Sequence, residues 1–107
     1  MARKVLELYE VTEADDVVTV VSELITNAVK VSRPDWPVTL RLLIDQEAVL
    51  VAVHDESDHR PEIRDVRADE TTGRGLLIVE ALSSGDCGYT LDLYGGKSVW
   101  ALISRTR

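Results

Sequence analysis

The stretch DDVVTVVSELITNAVKV, residues 15–31, decides the fold. At about 100° per residue, Val17, Val20, Val21, Leu24, Ala28 and Val31 fall on one side of a helix, flanked by Val18, Ile25 and Val29. Asp16, Thr19, Ser22, Glu23, Thr26, Asn27 and Lys30 fall on the other. Two faces that segregate this cleanly describe an amphipathic helix lying on a core. Pro34 and Pro37 stop it, because proline lacks the donor a helix interior needs and pushes its predecessor toward extended geometry.

Working outward, ARKVLELYEV (2–11) reads as a short preceding helix, with Val5, Leu6 and Tyr9 at helical spacing. Beyond the prolines the period drops to 2. Val38, Leu40, Leu42 and Ile44 alternate with Thr39 and Arg41, and after DQE the run AVLVAVH returns, which predicts a hairpin. Residues 55–72 are dominated by charged side chains, with Ile63 and Val66 their only branched aliphatics, so they read as a solvated loop. GRGLLIVEALSS restores a helical pattern. CGYTLDLY and KSVWALI, separated by Gly95 and Gly96, form a second hairpin whose glycines supply the positive φ of a tight turn. Strands joined by short turns, with helices between the hairpins, predict an α+β fold: a two-layer sandwich with a mixed, mainly antiparallel sheet and its helices on one face.

With 107 residues and 45% apolar side chains, one domain spanning 1–107 is expected. A formal charge of −7 argues against a phosphate-backbone binder, so nucleic acid is not an expected partner. Cys87 is alone, which precludes an intrachain disulfide and asks for no oxidising compartment. The first ten residues have no apolar h-region, and no run approaches the roughly 18 apolar residues of a membrane span. A soluble, cytoplasmic protein without a membrane partner is the expectation.

Three features carry chemistry. Glu23 and Asn27 stand at i, i+4, one above the other about 6 Å apart, so a carboxylate and an amide point the same way. Read alone, the pair is a solvated helix face; read as chemistry, a carboxylate orients or deprotonates a hydroxyl and an amide oxygen suits a hard cation. TTGRGLL (71–77) puts Gly73 and Gly75 at a helix start, where unpaired N–H groups and the helix dipole favour an anion. By itself that is also how an ordinary loop-to-helix junction looks. Asp55 closes the apolar strand at the rim of the sheet, either as a turn residue or as a carboxylate that accepts from an exocyclic amine and repels a carbonyl oxygen.

In this order the pieces resemble the ATP-binding, Bergerat-type domain of the GHKL superfamily, which includes gyrase, histidine kinases and MutL. SELITNAVK resembles its N box, DES the start of its aspartate motif, GRGLLIVEAL its second glycine box and GGKSVWALI its closing strands. The likeness covers about residues 14–104 and is closest to small actinobacterial ATP-binding regulators similar to anti-sigma-factor serine kinases. The resemblance implies roles: Glu23 the general base, Asn27 the magnesium ligand and Asp55 the adenine-reading carboxylate. Gly73, Arg74, Gly75 and Leu76 match the phosphate-cradling turn. Lys30 occupies a basic position near phosphate, and Ser98 falls where the family often has a Thr beside the adenine-aspartate pair. It implies ATP and Mg2+ as cofactors, a sigma factor or a STAS-type antagonist as partner, and phosphorylation of Ser or Thr on that antagonist. The alternative is a non-catalytic interaction module with a vestigial nucleotide site.

The chain departs from the family pattern at Ser57 and His59, where glycines are usual, and in its short N-terminus, which lacks room for the strand that relatives carry. Either the sheet lacks an edge strand or a second copy covers that edge, which makes a homodimer one expectation.

Overall fold

The computed structural model describes residues 2–57 and 74–105. From residue 58 onward, the expected charged loop lies outside them. Among the described residues the order is α1 (Ala2–Leu8), α2 (Ala14–Val31), β1 (Val38–Ile44), β2 (Ala48–Asp55), α3 (Arg74–Leu82), β3 (Cys87–Leu91) and β4 (Lys97–Ser104). The strands form one sheet in the order β1-β2-β4-β3. Every pairing is antiparallel, so the described sheet is not mixed. The α+β class and both hairpins are as expected.

The core follows from the two periods. On α2, Val17, Val20, Val21, Leu24 and Ala28 are buried. They meet the alternating inward residues of the two central strands, Val49, Val51 and Val53 on β2 and Ala101 and Ile103 on β4. Leu6 of α1 and Val79 of α3 complete the cluster. Each fully buried Val or Leu contributes about 1.5–3 kcal/mol of transfer free energy, so this contact surface holds the two layers together. Val29, expected to flank the buried stripe, is 58% exposed because it lies about 120° round the helix from its centre. Asp15 and Asp16 sit in the first turn of α2, where the helix dipole favours negative charge.

The second hairpin loop is longer than a two-residue turn. It spans Asp92 to Gly96, with Gly95 N–H donating to Asp92 O at 3.3 Å and Asp92 N–H to Gly96 O at 3.1 Å. Gly95 and Gly96 have φ of 102° and 81°, the left-handed region that favours glycine. No described helix is long and apolar enough to cross a membrane.

The first hairpin turns on Asp45, whose Oδ1 accepts from the backbone N–H of Glu47 at 2.7 Å and of Ala48 at 2.8 Å. Arg105 reaches over the turn, donating to Asp45 O and to Tyr9 O, and so ties the end of α1 to the sheet. The Ala48 N–H, then that of Glu47, hold the Asp45 carboxyl below its ordinary range, and Arg105 adds to the effect. Because the folded-state pKa is lowered, this turn's contribution is fully present above the unfolded value of about 3.9 and is lost as pH falls through the folded one. Acid titration of stability in Asp45→Asn, which keeps an acceptor oxygen but does not ionise, is expected to fall less steeply below about pH 4 than in the wild type.

Candidate functional site

The alternation that buries Val49, Val51 and Val53 continues for one more step and puts Asp55 on the same inward face. A carboxylate in that position must be paired or neutralised. Its register partner across the β2–β4 ladder is Lys97, the first residue of β4 and in phase with the inward Ala101 and Ile103. Lys97 Nζ lies 2.9 Å from Oδ1 and 2.9 Å from Oδ2 of Asp55, and the two side chains are 3% and 1% exposed. Ser57 N–H donates to the same Oδ1 at 2.8 Å, so the carboxylate also caps the strand end.

Gly96 makes this closeness possible. A Cβ built there would stand 2.5 Å from the Asp55 carbonyl oxygen and 3.1 Å from Glu56 Cα, so only glycine lets the chain enter β4 beside the end of β2.

Ser98, one residue on, faces the opposite side of the sheet. There it pairs in register with His54, its Oγ 3.4 Å from His54 Nδ1. The same Nδ1 is 2.9 Å from Asp92 Oδ2 and therefore carries the proton, tying β2 to the β3–β4 loop. His54 Nε2 faces Glu56 at 3.7 Å. The residue that stands against the Asp55 carboxylate is thus Lys97, which the sequence reading passed over. Its phase was the available signal: Lys97 shares parity with Val99, Ala101 and Ile103, and Ser98 does not.

On α2, Glu23 and Asn27 are both half-buried at the edge of the core-facing stripe, and Lys30 is exposed. Asn27 Nδ2 is buried without a hydrogen-bond partner. A buried, unpaired amide nitrogen carries a desolvation cost of about 1–3 kcal/mol unless a ligand completes it. The two ends of an amide exchange by a half-turn, so either an acceptor on Nδ2 or a cation on Oδ1 satisfies the group. Arg74 and Gly75 open α3, leaving the N–H groups of its first turn without intrahelical acceptors. Leu76 is half-buried in that turn, and Gly73 lies outside the described residues. No cluster of three or more described His, Cys, Asp or Glu side chains could hold a metal. A groove of about 710 Å³ lies at the other end of β2 and β4, lined by residues including Asp16, Glu47, Ser83 and Asp86, and contains none of the residues singled out from the sequence.

Helices on one face of an antiparallel sheet, a Glu and Asn pair on the long helix and a carboxylate at the end of a central strand fit the GHKL-type domain that the sequence resembles. The family model described as histidine kinase-like ATPase domain matches residues 1–99, and the chain belongs to that family. Membership supports ATP binding. No curated protein matches the chain.

Removing one member of the Asp55–Lys97 pair strands a buried charge, whereas replacing both by apolar side chains of similar size removes the need for pairing. Lys97→Met is expected to lower unfolding free energy by about 3–5 kcal/mol, and Asp55→Leu/Lys97→Met to recover most of that loss, as read by denaturant titration. Gly96→Ala combines a left-handed φ with a backbone clash and is expected to cost about 2–4 kcal/mol in the same assay.

Proposed function

We propose that the chain is a cytoplasmic ATP- and Mg2+-dependent regulator similar to anti-sigma factors, which phosphorylates a Ser or Thr of a STAS-type antagonist and holds a sigma factor by protein contact. The observation that carries this reading is the unpartnered amide of Asn27, one helical turn from Glu23. At the phosphate end the residues fit a nucleotide. Asn27 would hold the magnesium ion, with phosphate oxygens and water filling the other positions, as this ion usually arranges its ligands. Bound there, the ion neutralises charge on the phosphates. The first-turn N–H groups of α3 would receive phosphate oxygens.

In the transfer itself, the antagonist's hydroxyl oxygen forms a bond to the γ-phosphorus as the bond to the β,γ-bridging oxygen breaks. ADP leaves, and the hydroxyl proton passes to the Glu23 carboxylate. Positioning and charge neutralisation carry most of such a reaction, which this small set of groups can supply.

A second reading is favoured by the Asp55–Lys97 pair: a carboxylate already bonded to an ammonium is not free to take an adenine amine. On that reading the nucleotide site is vestigial and the domain acts by binding its protein partner alone.

Calorimetric titration with ATP, with and without Mg2+, separates the two. The kinase reading expects metal-dependent binding that weakens about 10- to 100-fold in Asn27→Ala, the worth of a hydrogen bond to a charged group. It also expects Glu23→Gln to bind ATP but lose phosphotransfer. No binding by the folded wild type supports the interaction module instead.

A further inference from the structure

We propose that Lys97, with Asp55 as its counter-ion, is the group that a bound nucleobase meets, so that this site reads an acceptor on the base and tolerates bases that carry a carbonyl in place of adenine's amine. The inference rests on the nucleotide-binding reading above and concerns the base end of the same site.

Both Asp55 oxygens lie 2.9 Å from Lys97 Nζ, and Oδ1 takes the Ser57 N–H as well. For an exocyclic amine to bind Asp55 it must displace the ammonium, exchanging an ion-paired hydrogen bond for one from an uncharged donor and leaving a buried cation unpaired. That exchange is unfavourable at every step. Lys97, by contrast, has three donors and no acceptor function. Two N–H groups serve Asp55, and among the described residues no acceptor meets the third. Its partner in a complex must therefore be an acceptor, either a ring nitrogen or a carbonyl oxygen.

Neutralisation of Asp55 also removes the feature that would exclude guanine. A free carboxylate repels the carbonyl oxygen at position 6, whereas a carboxylate covered by an ammonium presents that oxygen with a donor. Apolar surface lies alongside. Leu91 is the register partner of Lys97 and Tyr89 that of Val99, so both share the face of the pair. They are 48% and 39% exposed, which leaves a wall against which a flat base can lie.

The test is calorimetric titration of the full chain with the Mg2+ complexes of ATP, ITP and GTP, beside Lys97→Thr. Inosine confines the change to one edge of the base, carrying a carbonyl at position 6 and an N–H at position 1 where adenine has its amine and an unprotonated ring nitrogen. The expected result is that ITP and GTP bind the wild type within about tenfold of ATP, against the factors of 10⁴ or more by which a site built to hydrogen-bond a group rejects the analogue lacking it. In Lys97→Thr the carboxylate is released, and the preference for ATP over GTP is expected to rise by at least about tenfold. Wild-type binding of ATP with ITP and GTP more than about a hundredfold weaker overturns this inference and leaves ATP binding standing. An unchanged ATP-to-GTP ratio in folded Lys97→Thr overturns it too. Failure of all three nucleotides to bind overturns it together with the reading it rests on. The wild-type series decides the matter alone if the variant does not fold.

Discussion

A carboxylate buried on the inward face of a central strand is the constraint around which one end of this molecule is arranged. Asp55 is in register with Lys97. Unpaired, it would bear a desolvation cost of several kcal/mol; paired at 2.9 Å to both oxygens, it sets where β4 begins and how closely the preceding loop approaches β2. The glycine at 96 follows from that approach, because any side chain there would meet the Asp55 carbonyl. So does the loop itself. Its Asp92 reaches His54 on the far face of the sheet, so the end of β2 is tied to the same loop from both sides.

The other half of the site obeys a different logic. Glu23 and Asn27 need no ion pair to position them, because α2 is held by five buried side chains along the adjoining stripe. A helix anchored in this way presents its flanks rigidly, and a residue at the border of the stripe is half in and half out of water. Asn27 occupies that border, which is why its amide nitrogen can be buried and yet lack a partner. On the proposed reading, the core supplies the preorganisation that phosphate chemistry requires, while the strand register supplies the base end.

Much of this was legible in the sequence, and the reasons are particular. The division of α2 into two faces and the change from period 3.6 to period 2 at Val38 are strong local signals, since burial enforces both. The paired glycines announced positive φ, which both adopt. What could not be read was long-range. That Lys97 lies on Asp55 depends on the register of two strands 42 residues apart in the chain. A one-residue slip would have put Ser98 there instead. The length of the β3–β4 loop was misjudged for the same reason, because the glycines mark where φ is positive but not where pairing resumes. The Asn27 orphan is likewise a property of packing, invisible until its neighbours are in place.

The register argument bears on how such a site can change character without changing fold. Asp55 and residue 97 share a face, so the side chain at 97 decides what the carboxylate is for. A short hydroxyl there leaves it free to accept from a ligand; a lysine turns it into a counter-ion and projects a donor in its stead. Neither choice disturbs the alternation of β2 and β4, since residue 97 stays in register with Asp55 on the inward face in either case. On the proposed reading, the strand register is indifferent to the residue at 97 while the chemistry of the base end is not. The electrostatic identity of the site resides in one position of β4 that the fold itself leaves open.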